Sequence, residues 1–154
     1  MTKEALMRKA IELSKENVEN GGGPFGAVIA TKEGEIVATG VNRVTASCDP
    51  TAHAEVSAIR AAAAKLGTFN LSGYEIYTSC EPCPMCLSAI IWANIKEVYY
   101  GCTKEDAGNI GFRDDIIYDY LKGNNKDLIC LKQLDREECL ETFKRYSEEN
   151  GTIY

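Results

Sequence analysis

Apolar residues recur at near-helical spacing through residues 3–18, where Leu6, Ala10, Leu13 and Val18 form one side of an amphipathic helix. Gly21-Gly22-Gly23-Pro24 ends that pattern. Phe25 to Ala30 and Ile36 to Val41 then read as two strands, joined through the turn Lys32-Glu33-Gly34-Glu35 into a hairpin. A polar loop runs to Asp49-Pro50, a pair expected to cap and open a helix with the apolar stripe Ala58, Ile59, Ala62, Ala63 and Leu66. Tyr74 to Thr78 is short and rich in β-formers. Pro82 is expected to open another helix, whose body from Leu87 to Trp92 is apolar nearly all round and therefore expected to be buried. Ile95 to Tyr100 reads as a strand, Asp127 to Leu131 as a candidate strand, and residues 136–147 as a charged amphipathic helix. Strands separated by helices of this length predict an α/β domain, a three-layer α/β/α sandwich around a mixed sheet. No repeat, low-complexity tract or linker divides the chain, so residues 1–154 are expected to form one domain.

Composition narrows the partners. Seventeen basic and 23 acidic residues give a net charge of −6, and the lysines and arginines are scattered. Tight nucleic-acid binding draws on many basic contacts to phosphates, so a small neutral substrate fits better than a polyanion. No long apolar run suggests a membrane span, and MTKEALMRKAIELSKENVEN mixes acids and bases in a way unlike a signal peptide. Seven cysteines, an odd number, suit the reduced thiols of a cytoplasmic protein better than a disulfide scaffold.

The chemistry concentrates in two places. The single histidine begins His53-Ala54-Glu55, and Pro82-Cys83-Pro84-Met85-Cys86 follows downstream. Cysteines at i and i+3 share a helix face, and a helix N-terminus favours the thiolate form. His53, Cys83 and Cys86 would give zinc three protein ligands and leave a fourth position open, the arrangement of a catalytic rather than a structural site. Zinc can lower the pKa of water towards ~7, and Glu55, beside the metal without binding it, would act as base and then acid. The pattern is that of zinc-dependent base deaminases. A structural zinc, with Cys48, Cys80 or Cys102 completing a Cys₃His set, is the bland alternative; it gives Glu55 no task. Cys80, Cys102, Cys130 and Cys139 otherwise read as small buried or surface thiols.

Beyond the motif, the chain resembles the cytidine deaminase-like superfamily, and within it the short bacterial guanine deaminases. GGGPFGAVI (21–29), DPTAHAEVSAIR (49–60), YTSCEPCPMCLSAIIWA (77–93), GFRDD (111–115) and the final Tyr154 carry the likeness. Arg113 departs from it, standing where an acidic residue is expected. The resemblance implies a five-stranded sheet, one zinc ion per subunit, and a homodimer that exchanges the C-terminal segment, about 110–154. It implies conversion of guanine to xanthine and ammonia, with Glu55 as proton shuttle and Asn42 bonded to the purine. Asp114 and Tyr154, from the partner's exchanged segment, would read the purine edge and close the pocket, while Phe25 and Trp92 pack around the ring.

Each of those contacts has a duller reading from the residues alone. Asn42 suits a turn, Asp114 a solvated loop, Tyr154 a frayed end, and Phe25 and Trp92 a core. The glycine run at 21–23 precedes a strand instead of following one, which argues against a phosphate cradle. Three functions remain open: a free-base aminohydrolase; a tRNA adenosine deaminase, with a cytosine or nucleoside deaminase lying between the two; and a zinc-stapled interaction module.

Overall fold

The apolar run at residues 25–30 becomes a central strand with both faces covered. In the computed structural model, which describes residues 1–154, β1 (Gly26–Ala30) is buried along its whole length. Val28 and Ala30 turn towards α1 (Lys3–Glu19), packing with Leu6, Ala10 and Tyr77. Ala27 and Ile29 turn the other way, into a cluster with Ala54, Ala58, Ala62, Ile76 and Ile90. That second face is covered by α3 (Ala54–Leu66) and α4 (Pro84–Trp92). Truncating a side chain as buried as Leu6, 1% exposed, costs about 2–5 kcal/mol.

The sheet runs β2 (Ile36–Val41), β1, β3 (Glu75–Cys80), β4 (Glu97–Cys102). β1 is antiparallel to both β2 and β3, whereas β3 and β4 are parallel. Parallel neighbours need a crossover, and α4 supplies it. Gly40 of β2 lets α3 approach closely: a Cβ there would collide with the backbone of Ala54 and Ala58. The first turn of α3 is thereby pressed onto the sheet.

Several expectations need correction. The sheet has four strands, not five. Residues 127–131 form turns and irregular backbone, with Leu131 78% exposed; β-propensity makes no strand without a ladder to join. The second long helix begins at Ala54, because Asp49 is spent on a turn, accepting from the Thr51 N–H at 2.9 Å and its hydroxyl at 2.7 Å. The third begins at Pro84 with Cys83 as its N-cap. Nor is that helix buried all round, since Ile91 and Trp92 are 65% and 67% exposed. Three short helices, α2 (Val44–Ser47), α5 (Lys104–Asn109) and α6 (Asp115–Leu121), were not expected from periodicity. The charged helix appears as α7 (Arg136–Glu148), and it buries none of its residues. No helix is long and apolar enough to cross a membrane.

Candidate metal centre

Two helix starts create the site. Cys83 adopts extended backbone as the N-cap of α4, Pro84 occupies the first turn without needing a partner for its missing N–H, and the Cys86 N–H points back at Cys83 Sγ, 3.5 Å away. Cys86 follows on the same face of the helix. His53 is the extended N-cap of α3 and makes no side-chain cap bond, which leaves its ring free to turn towards α4. Packing of Ala54 and Ala58 against the Ile90 side of α4 holds the two helix starts together.

The resulting geometry suits a tetrahedral cation. His53 Nδ1 lies 3.5 Å from Cys83 Sγ and 3.5 Å from Cys86 Sγ. Zinc bonded to nitrogen at ~2.0 Å and sulfur at ~2.3 Å with tetrahedral angles would separate those atoms by about 3.5 Å. The donor set therefore fits zinc. No sulfur of Cys48, Cys80 or Cys102 joins the group, so the Cys₃His alternative lacks its fourth ligand.

Electrostatics follow from burial. The hydrogen bond from Cys86, aided by His53, holds the Cys83 thiol well below its ordinary range against an opposing desolvation cost. Cys86 retains the proton the two thiols share and is pushed up correspondingly; a cation would compete for that proton. Glu55, 6% exposed in the first turn of α3, has its carboxyl raised mainly by desolvation and further by the Cys83 thiolate. A carboxyl so raised is suited to give up and take back a proton near neutral pH.

A cavity of about 280 Å³ opens beside the three ligands. His53, Glu55 and Cys83 line it, together with Phe25, Asn42 and Asp114, so most of the expected site residues are brought to one place. Asn42 Oδ1 accepts from the Val44 N–H at 3.1 Å, which leaves its amide N–H groups for the cavity. Burial raises the Asp114 carboxyl, and the Cys83 thiolate adds to the effect. Within this single chain Asp114 lines the cavity. Arg113, the departure from the expected pattern, bonds Asp115 through Nε at 2.9 Å and does not line the cavity.

Trp92 and Tyr154 are placed elsewhere. Trp92 sits at the far end of α4 from Cys83, with its ring 6.5 Å from that of Tyr154, and neither lines the cavity. Several lining residues went unassigned in the sequence, Phe112 and Glu81 among them. Phe112 stands across from Phe25, and Glu81 accepts from the Lys104 N–H at 3.1 Å, tying the cysteine loop to the start of α5. Phe112 could have been found as the aromatic residue next to Arg113 in GFRDD; Glu81 carried no signal beyond adjacency to the cysteines.

Comparison with known proteins agrees with the geometry. The chain is 54% identical over 119 residues to guanine deaminase of Bacillus subtilis, spanning 77% of this chain and 76% of that protein. It superposes on the X-ray structure of guanine deaminase from Bacillus subtilis with a TM-score of 0.90, covering 96% of this chain and 95% of that one at 45% identity. It is also 34% identical over 153 residues to a tRNA-specific adenosine deaminase of Haemophilus influenzae, spanning 97% of this chain and 87% of that protein. Residues 1–102, which hold all three ligands and Glu55, match the cytidine and deoxycytidylate deaminase zinc-binding region, and the chain belongs to that family.

Proposed function

We propose that this protein hydrolyses guanine to xanthine and ammonia. The observation that carries the reading is the joint placement of the His53–Cys83–Cys86 donor set and the buried Glu55 carboxyl on one base-sized cavity. The likeness to a guanine deaminase over nearly the whole chain supports the substrate.

Held by His53, Cys83 and Cys86, zinc would act as a Lewis acid that makes water a nucleophile at neutral pH. Glu55 then takes the proton of the attacking water and passes it to the ring nitrogen beside the carbon that bears the amine. It then takes the remaining proton of the added hydroxyl as the ring carbonyl forms and gives it to the departing amine, so one carboxyl serves as base and acid. Asn42 holds the base through its free N–H groups, and Asp114 reads the polar edge. Discrimination of that kind is steep, because a wrong base leaves buried polar partners unpaired. Phe25 packs against the ring.

The second part of the reading is a homodimer that exchanges its C-terminal segment. From Leu121 onwards no residue is buried, and Leu134, Phe143 and Ile153 are 81%, 74% and 87% exposed. A segment this apolar needs a cover, and a second copy, receiving Tyr154 over its cavity, would provide it. The seven free thiols suit a cytoplasmic protein.

Ammonia release from guanine, adenine, cytosine, cytidine and tRNA by zinc-loaded protein, with Glu55→Ala as control, tests the reaction. Release from guanine alone supports the reading. No release from guanine would overturn it, and release from tRNA alone would replace it with the adenosine deaminase alternative.

A further inference from the structure

The glycine run that the sequence left without a task lies against a side chain outside the cavity. Asn17, near the end of α1, donates from Nδ2 to the carbonyl of Gly23 at 2.8 Å and to the carbonyl of Asn42 at 2.9 Å. These two carbonyls belong to segments that meet where the hairpin ladder ends, with the Asn42 N–H donating to the Phe25 carbonyl at 3.2 Å. The opposite side of the same segments lines the metal cavity through Gly23, Phe25 and Asn42.

The glycines allow this closure. A Cβ on Gly22 would lie 2.5 Å from Asn17 Nδ2, and a Cβ on Gly23 would lie 3.2 Å from the side-chain carbon of Asn42. At Gly22 a side chain would collide with the Asn17 amide, and at Gly23 one would crowd the Asn42 amide, so glycines let backbone lie over the two amides. With its main chain held by Asn17 and its Oδ1 by Val44, Asn42 has little freedom to turn its N–H groups away from the cavity.

We propose that Asn17 is a positioning residue for the substrate: from behind the cavity wall, its two donated hydrogen bonds fix Asn42 and the Gly23–Phe25 segment at their distance from the metal ligands. The inference rests on the purine reading above. Asn17 touches neither the cavity nor the ligands, so its effect must pass through Asn42 and the loop.

Asn17→Asp keeps the shape and removes the donors, and Asn17→Ala removes the group altogether. Zinc content, KM and kcat for guanine are measured for both, each alone and combined with Asn42→Ala. The expected result is full zinc occupancy, a KM raised by about tenfold and a kcat within about threefold of the parent, the pattern of lost ground-state positioning. In the Asn42→Ala background the same change should raise KM by less than about twofold, since coupled residues are not additive. Parent-like KM in both variants would overturn the inference, as would equal KM increases in the two backgrounds. Loss of zinc from both variants would make Asn17 a folding residue and also overturn it. The unsubstituted protein is the internal control: its failure to release ammonia from guanine would sink the substrate reading, whereas its success beside unaffected variants sinks only the role of Asn17.

Discussion

Phe25 meets Phe112 edge to face, with ring centroids 5.0 Å apart and planes at 84°. The contact joins the segment before β1 to the segment after α5 and walls one side of the metal cavity. Edge-to-face pairs contribute ~0.5–1.5 kcal/mol beyond area burial. Phe112→Ala is therefore expected to raise KM for the base by about 3–10-fold while the zinc content stays at one per chain. Steady-state kinetics with metal analysis checks this; a fall in kcat at unchanged KM would contradict it.

Glu55 is the one carboxyl both buried at the cavity and close to the Cys83 thiolate. Glu55→Gln preserves its volume and removes its proton chemistry. Turnover should drop by ~10²–10⁴-fold, and metal content and melting temperature should stay near those of the parent. A variant that loses zinc together with activity would mean that Glu55 helps build the site and is more than a proton carrier.

The metal centre was legible because its chemistry is local. Cys83 and Cys86 share a turn, His53 and Glu55 share another, and both turns lie at helix starts that proline and packing fix. Residues brought in by longer chain paths were less legible. Asp114 lies far along the chain from His53 and Cys83, and in this single chain the turn after α5 carries it to the cavity. α5 itself follows from a capping box, Thr103 with Asp106, at bond lengths of 3.2 and 2.8 Å; a helix this short is set by its cap more than by periodicity. Trp92 illustrates the converse error. An apolar helix was expected to be buried all round, but α4 covers the sheet with one face only and leaves Trp92 outside.

Cys80 faces the same cavity, yet it should be chemically quiet. Burial, with Cys102 paired beside it across β3 and β4, pushes its thiol from 9.0 up to about 12. Because the folded value is the higher one, its contribution to stability is complete below pH 9.0 and is lost as pH rises through about 12. Iodoacetamide at pH ~8 should therefore label the exposed Cys48 and spare Cys80. Peptide mass spectrometry after brief labelling decides the matter. Equal labelling of the two thiols would mean that Cys80 is more open or more acidic than its packing implies.

Metal removal should separate folding from chemistry and reveal the shared proton. Cys83 and Cys86 hold one proton between them, and His53 is raised by its bond to Cys83 and only partly opposed by burial. A cation entering this group must displace protons, so binding should tighten as pH rises. Zinc added to chelator-stripped protein in weak buffer is expected to bind once per chain, to acidify the solution and to restore turnover. Since the site exists only in the folded chain, free zinc at ~1,000 times its dissociation constant should add about 4 kcal/mol to stability, seen as a higher melting temperature. Cys83→Ser should lose most of the tight binding, because a hydroxyl does not ionise near neutrality and is a poorer zinc donor than thiolate. Tight binding with no proton release would show that both thiols are already ionised, and the division of protons between Cys83 and Cys86 described above would be wrong.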